Sequence, residues 1–182
     1  MGIVLVLGGT KTGKTSFAEN RAKSLEKSES IPVYYIATAN PIDDEMCVRI
    51  KKHQEKRSAN WKTIEEPVDV SKAINRISNG KSVIILDCLT LLMTNLLFEK
   101  GENCPREEAE KVVFSEIDKI VAESEKKDSE IIIISNQVEN GLVSEYKWAR
   151  MFQDIAGITH QKLGSAAEKV YLMNAGIALQ IK

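Results

Sequence analysis

Two short stretches of this chain carry side chains suited to handling phosphate. The first, Gly8-Gly9-Thr10-Lys11-Thr12-Gly13-Lys14-Thr15, fits the pattern G-x-x-x-x-G-K-[ST]. Glycines at these positions let the backbone turn several N–H groups inward, and a helix beginning near Lys14 adds the positive end of its dipole. Lys14 is expected to reach the β- and γ-phosphates of a bound nucleotide, and the Thr15 hydroxyl to hold Mg²⁺. The bland alternative is a glycine-rich turn that only links strand to helix. Here an apolar run (Ile3–Leu7) precedes the motif and an amphipathic segment follows it, as the phosphate reading requires. Such a loop needs a second, metal-side carboxylate at the end of a neighbouring strand, and Val83-Ile84-Ile85-Leu86-Asp87 supplies Asp87 after four apolar residues. A strand-end aspartate also caps following helices, and Asp87 is placed to do both.

The second stretch, residues 49–57, reads RIKKHQEKR: one histidine among five cationic side chains, in a chain with two histidines. On a helix, Arg49, His53 and Arg57 fall four apart along one face. Neighbouring cations disfavour the imidazolium, and the neutral ring is the nucleophilic form. The same cations would attract a triphosphate and stabilise charge on departing pyrophosphate. Taken from residue types alone, a surface histidine in a solvated basic helix is the plainer account.

These residues must be positioned by regular elements, and the chain supplies them in alternation. Apolar runs at 3–7, 33–38, 83–87, 131–135 and 170–173 predict strands buried on both faces, the mark of a parallel sheet covered by helices. Helical patterns fall at about 14–27, 43–57, 68–78, 88–99, 105–126 and 144–163. The final run after Asn174-Ala175-Gly176 predicts an antiparallel edge strand. No repeat or linker interrupts residues 1–182. The expected architecture is α/β: one three-layer P-loop NTPase domain with a mostly parallel sheet and an antiparallel C-terminal edge strand. Thr38, at a strand C-terminus, is expected to face the crevice where open α/β sheets bind ligands.

Bulk properties narrow the class. A chain of 182 residues with 43% hydrophobic and 28% charged residues can bury a full globular core. A net charge of −1 gives no bulk attraction for nucleic acid or a membrane surface, and no apolar run approaches a bilayer span. The start shows neither a secretory leader nor a myristoylation signal. Cys47, Cys88 and Cys104 have no ligand spacing and are read as reduced thiols, which fits a cytoplasmic protein. The guanine-reading N-K-x-D of regulatory GTPases is absent; residues 135–140 read SNQVEN. A small-molecule kinase is the natural class.

Residues 35–67 sharpen that. Tyr35 to Thr38 (YIAT), Asp43 to Met46 (DDEM), Arg49, Ile50 and His53 (R-I-x-x-H), and Trp61, Thr63 and Glu65 (W-x-T-x-E) stand in order. With DCLTLLMTNLLF at 87–98 and the segment from Ser135 to Lys182, they resemble one family over nearly the whole chain. That family is the bifunctional adenosylcobinamide kinase / adenosylcobinamide-phosphate guanylyltransferases of cobalamin assembly. The resemblance implies two reactions: ATP or GTP phosphorylates adenosylcobinamide, and GMP passes from GTP to the resulting phosphate through a histidine–GMP intermediate. It implies His53 as the residue that carries GMP, with Lys14 as the second catalytic group. The implied nucleotide-binding set is the loop Gly8 to Thr15 with Thr38, Arg49, Arg57, Glu65 and Asp87. Mg²⁺ would sit on Thr15 and Asp87. A homo-oligomer, a trimer, is also implied, with no nucleic-acid partner.

The chain departs from the family pattern at Gln137, where glutamate is usual, and at Ser144, where proline is common. Gln137 cannot act as a base. Asp87 stands where relatives often carry glutamate, which preserves charge. His160 matches no catalytic position and is read as an ordinary surface histidine. Trp61 and Trp148 are read as packing residues, and Asp43 as a helix cap. Two rival readings are another small-metabolite P-loop kinase and a nucleotide-binding regulatory module without group transfer.

Overall fold

The structure is a computed structural model that describes residues 2–41, 44–101 and 103–182; for Glu45, Met46, Arg49, Lys52, His53 and Lys56 the description covers only the backbone of their helix. Asp43 lies outside the described residues, so its capping role is not addressed.

The chain runs β1 (Ile3–Gly8), α1 (Lys14–Glu29), β2 (Val33–Ala37), α2 (Asp44–Lys56), β3 (Lys62–Glu65), α3 (Val70–Arg76), β4 (Ser82–Asp87), α4 (Leu89–Lys100), α5 (Arg106–Lys126), β5 (Ser129–Asn136), a 3₁₀ turn (Val138–Asn140), α6 (Lys147–Ala166), β6 (Lys169–Asn174) and β7 (Ile177–Gln180). One seven-stranded sheet has the order β3-β2-β4-β5-β1-β6-β7. All neighbours pair in parallel except β6 and β7. The antiparallel edge follows a two-residue turn with positive φ at Ala175 and Gly176, which lets β7 fold straight back.

Alternation along the strands sorts the core into two faces. Ile3, Leu5, Ile84, Leu86, Ile131 and Ile133 join one cluster with residues of α3, α4, α5 and α6. Val4, Val6, Tyr35, Ile85, Ile132 and Ile134 join the other with Ala18 and Ala22 of α1 and with Trp61. Small alanines on α1 let that helix lie close to the sheet. Burial on both faces is why these strands read as unbroken apolar runs.

Strand β3 leaves no mark in the sequence pattern. Lys-Thr-Ile-Glu has a single apolar residue and sits at the sheet edge with three of its four residues exposed, so hydrophobic patterning is silent there. Among the described residues, no helix is long and apolar enough to cross a membrane.

Candidate functional site

Strand register sets the site. Ala37 is the register partner of both Glu65 on β3 and Asp87 on β4, and Gly8 is the partner of Asn136 on β5. The carboxyl ends of β3, β2, β4, β5 and β1 therefore finish in nearly one line. Above them opens a cleft of about 970 Å³.

The loop from Gly8 to Thr15 forms one wall. Gly8 has φ 151° and a Cβ there would stand 2.5 Å from the Met173 carbonyl oxygen, so only glycine fits between β1 and β6. Gly13 caps α1 with φ 98°, a left-handed conformation that frees the helix N-terminus to face the cleft. The β6–β7 turn braces the loop from outside, with Gly176 N donating to Thr12 O at 3.1 Å. The Lys14 ammonium lies 2.5 Å from the Gly9 carbonyl oxygen, folded over the loop. Burial holds its pKa below the usual lysine range, against the opposing pull of Cys88 and Asp87.

Asp87 closes the floor. Its Oδ2 accepts from the Tyr35 hydroxyl at 2.5 Å, and the Thr15 hydroxyl stands 3.5 Å away. The following helix is capped at Cys88 without any side-chain bond, so the expected capping role of Asp87 is not realised: the carboxylate turns to Tyr35 and Thr15 instead. Burial, then the Asp87 charge, push the Tyr35 hydroxyl well above its ordinary range, so it stays a proton donor. The same two causes raise the Cys88 thiol to about 12.

Thr15 and Asp87 offer two hard oxygens at the phosphate end, a donor set that fits Mg²⁺ with its remaining positions left to water and phosphate. Among the described residues, no group of three or more His, Cys, Asp or Glu side chains gathers to hold a metal by itself.

The opposite wall comes from α2 and the ends of β2 and β3. Cys47, Ile50, Lys51 and Gln54 line it at the i, i+3, i+4, i+7 spacing of one helical stripe. Gln54 donates to Glu65 at 2.9 Å. Arg57 lies with its guanidinium 4.0 Å from the centre of the Tyr35 ring. Its Nε and Nη1 are enclosed yet have no hydrogen-bond partner among the described residues.

Most of the residues expected from the sequence thus meet around one cleft: Thr10, Lys11, Gly13, Lys14, Thr15, Arg57, Glu65 and Asp87 all line it. Thr38 does not. It is fully buried, and its hydroxyl accepts from Cys88 N and donates to Cys88 O, both at 2.8 Å, so it ties β2 to the start of α4. The crevice is faced instead by its neighbours Ala37 and Ala39. Thr12 turns its hydroxyl back onto Gly9 O at 2.8 Å. His53 and Arg49 belong to α2, but their side chains lie outside the described residues.

Other residues escaped sequence reasoning. Asn136 lines the cleft from the end of β5, and Cys88 and Leu91 from the start of α4. The α2 stripe was detectable as helical spacing, but its mixed chemistry disguised it. His160 is no surface residue: it is 7% exposed, its Nδ1 is 2.8 Å from Glu139 and its Nε2 is 2.7 Å from Ser135. That bonding fastens α6 to β5 and the 3₁₀ turn. Ser135 is fully buried on a central strand, which denies any substrate access to a Ser–His–Glu arrangement. Trp61 and Trp148 pack as expected, Trp61 against Tyr35 and Trp148 between Phe98 and Phe152.

The chain is similar to known proteins over nearly its whole length. The family model for cobinamide kinase / cobinamide phosphate guanyltransferase matches residues 4–181. The chain is 35% identical to the bifunctional adenosylcobalamin biosynthesis protein CobU of Escherichia coli, covering 99% of each chain. The CobU protein of Salmonella typhimurium is also 35% identical, with 99% of each chain covered. The CobP protein of Pseudomonas aeruginosa is 32% identical over 98% of this chain and 96% of its own. Among solved structures, an ATPase domain shares the fold with a TM-score of 0.50 at 15% identity, covering 94% of this chain and 68% of that one.

Proposed function

Because the chain belongs to the cobinamide kinase / cobinamide phosphate guanyltransferase family, we propose that it both phosphorylates adenosylcobinamide and guanylylates the product. One cleft, with a phosphate loop on one wall and on the other an arginine whose Nε and Nη1 have no partner among the described residues, carries this reading. Kinase and nucleotidyl transfer both require a triphosphate held along its length, and a cleft charged at both ends suits that.

In the first reaction the terminal phosphoryl group of ATP or GTP passes to the acceptor hydroxyl, the hydroxyl proton is lost, and a nucleoside diphosphate leaves. Lys14 and the loop amides stabilise charge on the moving group. Thr15 and Asp87 would hold Mg²⁺, which when bound would neutralise charge on the phosphates. Gln137 offers no base, so this reading rests the step on positioning and charge rather than on a carboxylate at that place. In the second reaction a neutral His53 nitrogen attacks the α-phosphorus of GTP and the bond to pyrophosphate breaks. A phosphate oxygen of the corrinoid then attacks the same phosphorus, breaks the P–N bond, and leaves adenosylcobinamide-GDP with His53 restored. Arg49 and Arg57 hold the triphosphate beside it, and Glu65 completes the nucleotide site.

The reading includes a homotrimer acting in the cytoplasm, which sedimentation would check. The direct functional test is product analysis: with adenosylcobinamide, GTP and Mg²⁺, mass spectrometry should find the corrinoid phosphate and then the GDP derivative. Phosphate transfer to some other metabolite, with corrinoids untouched, would favour a different kinase. Tight GTP binding without any acceptor-dependent turnover would favour a regulatory module.

A further inference from the structure

We propose that Tyr35 is a positioning residue that orients the Asp87 carboxylate for the metal-bound nucleotide and, through its ring, sets the Arg57 guanidinium across the cleft. The inference rests on the reading of Asp87 as the metal-side carboxylate.

Tyr35 is fully buried in the middle of β2, two residues before the strand's end and in register with Ile85. Side chains two apart share a sheet face, so Ala37 is its neighbour on the cleft side. A methyl group there leaves room for the Tyr35 ring to run along the strand towards the strand end. The hydroxyl emerges at Asp87 Oδ2, at 2.5 Å, the same oxygen that stands 3.5 Å from the Thr15 hydroxyl. The carboxylate is thereby fixed between the phosphate loop and the core.

The ring itself has little freedom. Trp61 stacks with it at 6.4 Å and 21°, and Trp61 is tied in turn by its indole N–H to Glu26 at 3.1 Å. Arg57 rests on the ring at 4.0 Å, so an aromatic surface helps hold that cation in place, and no carboxylate among the described residues forms an ion pair with it. Its Nε and Nη1 remain without partners among the described residues. A tyrosine that merely needed a partner for a buried hydroxyl would account for the bond to Asp87. It would not account for the same ring carrying a cleft-lining cation whose Nε and Nη1 have no partner among the described residues.

The test measures GTP affinity by calorimetry in Mg²⁺ and again in EDTA, for the natural chain, Tyr35→Phe, Asp87→Asn and the double variant. Phenylalanine keeps the ring and removes only the oxygen, and thermal melts run alongside verify folding. Groups that orient metal ligands typically contribute about 10- to 100-fold in metal affinity. Tyr35→Phe should therefore cut the affinity gained from Mg²⁺ by about tenfold, leave affinity in EDTA unchanged, and add nothing once Asp87 is Asn. If Asp87→Asn loses the Mg²⁺ gain while Tyr35→Phe keeps it, the positioning role is wrong and the reading of Asp87 stands. Should Asp87→Asn keep the gain as well, that reading falls and takes this inference with it. Equal losses with and without Mg²⁺ in Tyr35→Phe would mean that the residue only packs.

Discussion

Replacing Arg57 by Met should separate binding from stability. In the folded chain the guanidinium gains a cation–π contact with Tyr35, worth about 1 kcal/mol, but leaves Nε and Nη1 enclosed without partners among the described residues, at about 1–3 kcal/mol. These effects nearly cancel or favour the variant, since Met keeps the apolar stem packed. Arg57→Met should therefore melt at the same temperature or a few degrees higher. When a triphosphate arrives, the guanidinium must turn these enclosed donors into the cleft that Arg57 lines, where they gain charge-assisted bonds worth about 1.5–3 kcal/mol, so the variant should bind GTP about 10- to 150-fold more weakly. Calorimetric titration with GTP and a thermal melt on the same preparation measure both quantities. A melt lowered by several degrees with unchanged GTP affinity would refute the reasoning, because it would make Arg57 a structural cation.

Lys14→Ala should lower kcat/KM for phosphorylation by about a hundredfold or more while the chain stays folded, since it removes a donor aimed at developing charge; steady-state assays with saturating acceptor check this. Thr38→Val should orphan the buried Cys88 N–H, while the Cys88 C=O keeps its bond from Leu92 N, cost about 1–3 kcal/mol and lower the melting temperature by about 2–10 °C. For Cys88 the folded thiol is raised from 9.0 to about 12. The unfolded thiol therefore ionises first, and stability must fall as pH rises between those two values and be indifferent to this group below them. Urea midpoints of the natural chain minus those of Cys88→Ala, taken from about pH 8 to about pH 11, should show that decline; a flat difference would contradict it.

How far the sequence reveals the fold depends on what each segment buries. Central strands such as Val83–Asp87 and Ile131–Ser135 are apolar on both faces and announce themselves, as does the loop at Gly8 to Thr15, where spacing and chemistry coincide. The edge strand β3 stays hidden because its burial is slight. Within the site, Asp87 is legible because a carboxylate ending an apolar run is conspicuous. Thr38 misleads: it sits at the right strand end, but its short hydroxyl is taken by Cys88 inside the core. His160 misleads in the opposite direction, since its partners Ser135 and Glu139 lie 25 and 21 residues away along the chain and only the fold brings them together. Asn136 and Tyr35 acquire their places from strand register, which no local pattern encodes.

The most direct measurement is of the covalent intermediate. The chain is mixed with GTP labelled at the α-phosphate, denatured, and examined for retained label. The account predicts label that is acid-labile, survives alkali, releases GMP, and is absent from a folded His53→Ala variant. A folded, corrinoid-active protein that never retains label, or one that retains it equally after His53→Ala, would contradict it.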